Sequence, residues 1–302
     1  MQTKPNTPSP NGYAGQVVTK APDWHNLVVL DVLFNNLTTG LFLVAAVGEL
    51  AVPAVFTPVA TWAYPLALVL LLIDLGLLVL DLGDKLRFHH MLRVFKPSSP
   101  MSLGTWCLTA YSLFLSAILA AELVVAVGWR PGDTGLAWWA RKAAVIGGVP
   151  FAFGSVAYKG VLFSTTAQPG WKDARWLGAY LVNSAVLLGG GQLLLIAAVT
   201  GEARAADVLR PAVGLLAVLN LVPLGLLASD LSPALSRLYS WQGRLTAGAG
   251  VILVGAVIPV GVLLLGGGVV IASAVLAAIV LANLGVRSVI VHLPHRVTET
   301  VQ

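Results

Sequence analysis

The sequence is poor in cysteine and in charge. Cys107 is the only cysteine among 302 residues, so the chain can form neither an internal disulfide nor a cluster held by several thiolates. Charged residues make up only 10% of the chain, 57% of it is hydrophobic, and the mean hydropathy is +0.86. A soluble domain needs more polar surface than this composition provides. We therefore expect an integral membrane protein.

Histidines are missing from the hydrophobic runs. His25, His89, His90, His292 and His295 all lie at the ends of apolar segments or between them. A membrane b-type haem needs axial histidines inside the bilayer, so we expect no haem. The pairs His89-His90 and His292-x-x-His295 resemble metal-ligand spacings, but they lack neighbouring thiols and carboxylates, and we assign no metal site to them.

Long hydrophobic runs dominate the remaining sequence. A helix needs roughly 20 apolar residues to cross the hydrocarbon core, and eight segments satisfy this length. We expect an all-α bundle of eight transmembrane helices within residues 25–292, between a polar N-terminal tail, 1–24, and a C-terminal tail, 293–302. The predicted spans are 26–50, 61–82, 102–128, 138–165, 174–199, 209–229, 243–265 and 269–291, with a turn at Gly266-Gly267-Gly268 between the last two.

An even number of spans puts both chain ends on one side of the membrane, here called face A. The opposite side is called face B. The segments nearest face A carry thirteen of the 18 Lys and Arg residues, and those nearest face B carry five. Cytoplasmic loops are enriched in Lys and Arg. The charge count therefore predicts that face A is cytoplasmic.

A few ionisable and hydrogen-bonding residues interrupt the spans near face A. Asp31 and Asn35 are four residues apart on one helix face, and the rise of a helix places them one or two turns inside the membrane. Tyr158 and Lys159 lie at a similar depth on the fourth span, and Asp81 ends the second span there. Three spans thus bring polar groups to one shallow layer.

This layer has the groups that a quinone head requires. Tyr158 would donate to one quinone oxygen, the Asp31 and Asn35 pair would hold the other, and Asp31 is also a candidate proton acceptor. The alternative is that these residues form hydrogen bonds between helices and bind nothing.

The other intramembrane acids extend toward face B. We expect Asp74 near mid-membrane, on the same helix face as Asp81, and Glu49 and Glu122 closer to face B. With Asp31 and Lys159 they would form an interrupted ladder for protons. Alternatively, each is paired with a neighbour, which is the interpretation we favour for Glu49.

The loop after the second span carries a long pattern of specific residues, and a shorter one, Tyr158 to Ser164, lies in the fourth span. The loop residues are Asp81, Leu82, Gly83, Leu86, Arg87, Phe88, Met91, Leu92, Arg93, Phe95, Pro97, Ser99, Pro100, Met101, Ser102, Gly104 and Trp106. Together the two patterns closely resemble the polysulfide reductase membrane-subunit family, the NrfD-like proteins, over about residues 24–166.

The resemblance implies a haem-free subunit of a respiratory oxidoreductase in a prokaryotic inner membrane. Such a subunit exchanges electrons between a quinone, menaquinone or ubiquinone, and a ferredoxin-like iron–sulfur subunit. That partner connects to a molybdopterin or multihaem catalytic subunit. Here the quinone contacts would come from the start of the first span, with His25, Asp31 and Asn35, and from Tyr158. In the family the pocket lies outside the cell membrane, opposite to what the charge count predicts.

The loop cations have two candidate roles. Lys85, Arg87, Arg93 and Lys96 would anchor the loop at lipid headgroups and would offer a positive surface on which the iron–sulfur subunit docks. Alternatively, they serve only to orient the chain. The partners implied are therefore membrane lipid and protein subunits, and nucleic acid is not expected.

Two other functions are compatible with the sequence. A solute or ion transporter would use Pro150, Pro223 and Pro259 to interrupt spans, and the Gly189-Gly190-Gly191 run would permit a broken fifth helix. A passive membrane anchor of an enzyme complex would need none of the polar layer.

Overall fold

The structure, a computed structural model, describes residues 24–126 and 135–299. All regular secondary structure in these ranges is helical, and eight segments are long and apolar enough to cross a membrane, which confirms the expected fold class. The helices are α1 (Asn26–Ala51), α2 (Pro53–Asp81), α3 (Pro100–Ala126), α4 (Leu136–Ser164), α5 (Leu177–Thr200), α6 (Ala203–Leu219), α7 (Leu221–Leu238), α8 (Trp241–Ile252), α9 (Ile258–Leu264) and α10 (Val269–Glu299).

Several helices extend beyond the hydrophobic runs that predict them, and the sixth span, predicted at 209–229, runs from Ala203 to Leu238. α2 begins eight residues earlier than expected, with Pro53 in its first turn, where the missing proline N–H costs nothing. α10 continues through the predicted C-terminal tail to Glu299 because Leu293 and Val297 are buried in the hydrophobic core near face A. Residues 1–23 of the predicted N-terminal tail and the predicted end of the third span, at 128, lie outside the described residues.

Two of the spans are interrupted helices. The sixth span consists of α6 and α7 with a break at Asn220, and the seventh consists of α8 and α9 joined by a π-helical turn, Leu253–Val257. A π-helical turn forms where an extra residue is inserted into an α-helix. The turn between the last two spans lies where it is predicted, between Leu264 and Val269.

The fifth span is continuous, so the break that the transporter hypothesis places at Gly189–Gly191 does not occur. The glycines instead allow close packing of α5 against α1. A Cβ atom on Gly189 would overlap the backbone of Gly40, and one on Gly40 would overlap the backbone of Ala185. The two helices touch backbone to backbone there, and only glycine permits this approach.

Helix α1 lies at the centre of the bundle. It packs against α2, α4, α5 and α10, and it is the most buried of the eight spans. Polar side chains on different sides of α1 therefore face different neighbours, and none of them needs to face lipid.

Aromatic residues close the bundle near face A. Trp24, Phe163 and Trp171 pack against one another in edge-on and tilted arrangements, with ring centroids 4.7 to 5.7 Å apart. The buried Trp171 indole donates to the carbonyl of Ile290 at 2.7 Å. These contacts fix the start of α1, the end of α4 and α10 relative to one another.

Candidate functional site

One buried lysine lies between two buried carboxylates near face A. Lys159 Nζ on α4 is 2.7 Å from Oδ2 of Asp31 on α1 and 3.6 Å from Oδ1 of Asp74 on α2. The three residues are 2%, 6% and 0% exposed. Buried charges of this kind persist only when they are paired and hydrogen-bonded. We call these three residues the acid–lysine cluster.

Asn35 extends the cluster. Its Nδ2 donates to Asp74 Oδ2 at 3.0 Å and to Ser155 Oγ at 3.1 Å. Asn35 Oδ1, Asp31 Oδ1 and Asp74 Oδ1 are buried and accept no hydrogen bond within the described part of the chain. The two carboxyl groups also lie close enough to interact directly. The cluster thus retains acceptor capacity for the protons or hydroxyl groups of a ligand.

Tyr158 lies beside the cluster and is only half-buried. Its hydroxyl forms no hydrogen bond with the described residues, while its ring packs on Gly104 of α3 so closely that a Cβ atom there would overlap it. It is also near enough to Lys159, Asp31 and Asp74 for their charges to act on it. Gly104 therefore holds the ring in place and leaves the hydroxyl free to donate to a ligand.

Asp74 joins the polar residues of the first and fourth spans. We predicted it near mid-membrane, and its depth in the membrane stays a prediction. The structure places its carboxyl oxygens 3.0 Å from Asn35 Nδ2 and 3.6 Å from Lys159 Nζ. Asp31, Asn35 and Lys159 meet as predicted.

His25 and Asp81 lie outside the cluster. The exposed His25 ring stacks on His295 at a centroid distance of 4.8 Å, and so the first-span histidine does not contact Asp31 or Tyr158 through any described hydrogen bond. Asp81 is half-buried at the end of α2, within electrostatic reach of both Asp31 and His25. Both residues lie between the cluster and face A.

A second cluster joins the acids nearer face B. Arg141 of α4 forms ion pairs with Glu49 of α1 and with Glu122 of α3, the latter at 3.1 Å, and Tyr64 of α2 donates to Glu49 at 2.8 Å. Arg141 is one of the five cations that the charge count assigns to face B. Its position several residues inside an apolar run was the available signal that it is intramembrane.

Polar contact between the two clusters is interrupted. The Thr38 hydroxyl donates to the carbonyl of Ala67 at 2.6 Å, and the Tyr111 hydroxyl donates to the carbonyl of Thr38 at 3.1 Å. The next group toward face B is the fully buried Phe42, whose ring packs between Tyr111 and Tyr64. The ladder of protonatable groups therefore has an apolar gap at Phe42.

The loop cations are all at the surface. Lys85 and Arg87 belong to a 3₁₀ helix, Lys85–Leu92, and Arg93 and Lys96 follow it; all four are exposed. Arg87 pairs with Asp84 at 2.9 Å. Within the described ranges, no group of three or more His, Cys, Asp or Glu side chains is arranged to hold a metal ion.

A family model described as polysulphide reductase, NrfD, matches residues 18–293, which is nearly the whole chain. The chain belongs to the NrfD family. The match includes the second half of the bundle, where only the hydrophobic profile suggested it. NrfD-family proteins are membrane subunits of oxidoreductase complexes, in general associated with quinones and partnered with iron–sulfur and catalytic subunits. No curated protein matches the sequence.

Proposed function

We propose that this NrfD-family chain is the quinone-reactive subunit of a respiratory oxidoreductase complex. The observation that carries the proposal is the half-buried Tyr158, whose hydroxyl has no described hydrogen-bond partner, beside the acid–lysine cluster. Asp31 is five residues inside α1, so the site lies roughly 8 Å from face A. A lipid-soluble ring would reach this depth from the membrane.

The side chains fit the two oxygens of a quinone head. A quinone carries two electrons and two protons between its oxidised and reduced forms. Tyr158 would donate a hydrogen bond to one oxygen, and the free acceptors Asp31 Oδ1 and Asn35 Oδ1 would bind the hydroxyl form of the other. Lys159 stabilises the ionised carboxylates of Asp31 and Asp74. In that form they would accept the protons that oxidation of the quinol releases.

The same groups suggest where the protons go. Asp81 and His25 lie between the acid–lysine cluster and face A, whereas Phe42 separates it from Glu49 and the rest of the second cluster. We assign proton exchange with the quinone to the face A side. Glu49 and Glu122, both paired with Arg141, have a structural role in this proposal.

The electrons would leave through an extrinsic ferredoxin-like iron–sulfur subunit docked on the 3₁₀-helical loop. This loop combines the cations Lys85, Arg87, Arg93 and Lys96 with exposed apolar side chains such as Leu86, which is 83% exposed. A protein interface commonly combines an apolar centre with a charged rim. The loop leads directly into α3, whose Gly104 supports Tyr158.

Purification with native lipid tests the proposal. The wild-type chain is expected to retain menaquinone or ubiquinone stoichiometrically, and Tyr158→Phe and Asp31→Ala are expected to lose it. Tyr239→Phe, at the end of α7 on face A, is the matched control and should retain it. A wild-type chain that binds its iron–sulfur partner but neither retains nor reacts with quinone would be a passive anchor. Solute uptake by the chain alone in vesicles would instead support the transporter.

A further inference from the structure

Arg287 of α10 is buried and has no acidic partner among the described residues. Its side chain is 1% exposed, and the charge count assigns it to face A. Its Nη1 donates to the carbonyl and to Oδ1 of Asn283 at 3.0 and 2.8 Å, and its Nη2 donates to Ser184 Oγ at 3.0 Å. Its guanidinium lies over the ring of Tyr180 at 5.9 Å. All of these partners are electrically neutral.

Two other intramembrane cations, Lys159 and Arg141, differ from it. Each contacts two carboxylates, whereas no described carboxylate lies within ion-pair distance of Arg287. Arg287 Nε has no hydrogen-bond partner among the described residues. Burying an isolated charge is costly unless an opposite charge compensates it. A candidate for that compensation is the acid–lysine cluster, which holds two carboxyl groups and one cation.

Helix α1 separates Arg287 from that cluster and connects the two. On one side, Asn35 donates to Asp74. The next residue, Asn36, donates at 3.3 Å to the same Ser184 Oγ that accepts from Arg287. The guanidinium and the carboxyl pair are therefore about one helix diameter apart, roughly 10 to 12 Å.

We propose that Arg287 is the distant counter-charge of the Asp31–Asp74 pair and weakens the hold of this pair on its proton. At roughly 12 Å and an effective dielectric constant of about 20, a unit positive charge changes proton binding about tenfold. Arg287 is a positioning residue in this sense: it contacts neither the quinone nor the transferred proton, but its charge favours the ionised form of the carboxyl pair. Its use in turnover rests on the proposed function, whereas its effect on the pair does not.

Other titratable and charged groups lie around the pair on the neighbouring helices. They would be unchanged in a variant that alters only Arg287, so the comparison isolates its charge. They are His25 before α1, Asp81 on α2, Cys107 and Tyr111 on α3, and Tyr158 and Lys159 on α4, together with Tyr180 of α5 next to Arg287 itself.

Infrared spectroscopy of the full-length chain, titrated with acid, tests the inference without any quinone. The carbonyl band of a protonated carboxyl is assigned to the pair by its loss in Asp74→Asn. Arg287→Gln removes the charge. Ser184→Asp keeps Arg287 but places a carboxylate against its Nη2, and so it neutralises the same charge by a different route. Arg287→Lys and the neutral Ser184→Asn are the matched controls.

The expected result is that the band persists to about tenfold lower proton concentration in Arg287→Gln and in Ser184→Asp than in wild type, and that both controls titrate as wild type. If one of the two charge-removing variants is misfolded, the other variant alone tests the inference. Wild-type titration in a folded charge-removing variant would overturn the inference. So would an equal shift in Arg287→Lys, because the effect would then come from hydrogen bonding. If the band shifts as expected but the chain binds no quinone, the proposed function is wrong and the inference about Arg287 stands.

Discussion

Lys159 Nζ lies 2.7 Å from Asp31 Oδ2, and this ion pair joins the fourth helix of the bundle to the first. Asp74 adds the second helix to the same cation at 3.6 Å. The first, second and fourth helices are thus connected by one lysine side chain that is 3% exposed. The candidate quinone site is built on this connection.

Removal of that lysine should destabilise the bundle. Lys159→Met leaves two buried carboxylates without their cation, and breaking a buried pair in this way costs about 3 to 5 kcal/mol. Thermal unfolding of the detergent-solubilised protein would measure it. Combining the change with Asp31→Asn should restore part of the loss, because fewer uncompensated charges remain. Arg87→Ala, which breaks the exposed pair with Asp84, should have no measurable effect; equal losses in the two variants would contradict the prediction.

The support of Tyr158 by Gly104 can be tested separately from its hydroxyl. Gly104→Ala places a Cβ atom in the space of the Tyr158 ring, so the ring must move and its hydrogen bond to the quinone should be lost. We expect quinone affinity to fall roughly tenfold, the value of one hydrogen bond. Gly76→Ala is the control, since a Cβ there meets nothing within 4 Å. Unchanged quinone binding in Gly104→Ala would show that the position of the ring is unimportant.

The second cluster should contribute to stability and not to quinone binding. Arg141→Gln leaves Glu49 and Glu122 uncompensated, and the expected loss is about 3 kcal/mol, the lower end of the range for buried pairs, because the Arg141 side chain is 14% exposed. Unfolding would report this loss, and quinone affinity should stay at the wild-type level. Lys142→Gln changes the neighbouring cation, which lies over Trp138, and should affect neither quantity. A large drop in quinone affinity in Arg141→Gln would argue that the clusters work together despite Phe42.

Charge reversal on the 3₁₀-helical loop should weaken binding of the iron–sulfur subunit. For Lys85→Glu combined with Arg93→Glu we expect association with the partner to slow several-fold at low salt, and the difference from wild type to shrink at high salt as the charges are screened. Arg204→Glu, exposed at the start of α6 on face B, should associate normally. An equally slow association of Arg204→Glu would mean that the net charge of the chain, and not the loop, controls docking.

The position of a residue along its helix was predictable where the ends of that helix were predictable. Asp31, Asn35 and Lys159 lie close to the ends of α1 and α4, and they meet as the helix rise predicts. The contacts of Asp74 with Asn35 and Lys159 were not predicted, because they follow from the packing of α2 against α1 and not from hydrophobicity. The partners of Glu49 and Glu122 were missed for a related reason: an arginine near a helix end is equally compatible with a headgroup and with a buried acid.

The sequence alone determined the membrane class, the eight spans, the exclusion of thiolate clusters and the shallow level of the first polar residues, because hydrophobic length and helix rise are properties of a single segment. Tertiary structure decided which polar groups share a partner. Asn35 and Asn36 are adjacent in the sequence, yet Asn35 contacts the acid–lysine cluster and Asn36 contacts Ser184 of α5. The buried Arg287 donates to the same serine. Such pairing depends on how helices rotate against one another, and that rotation is set by the packing of all eight spans together.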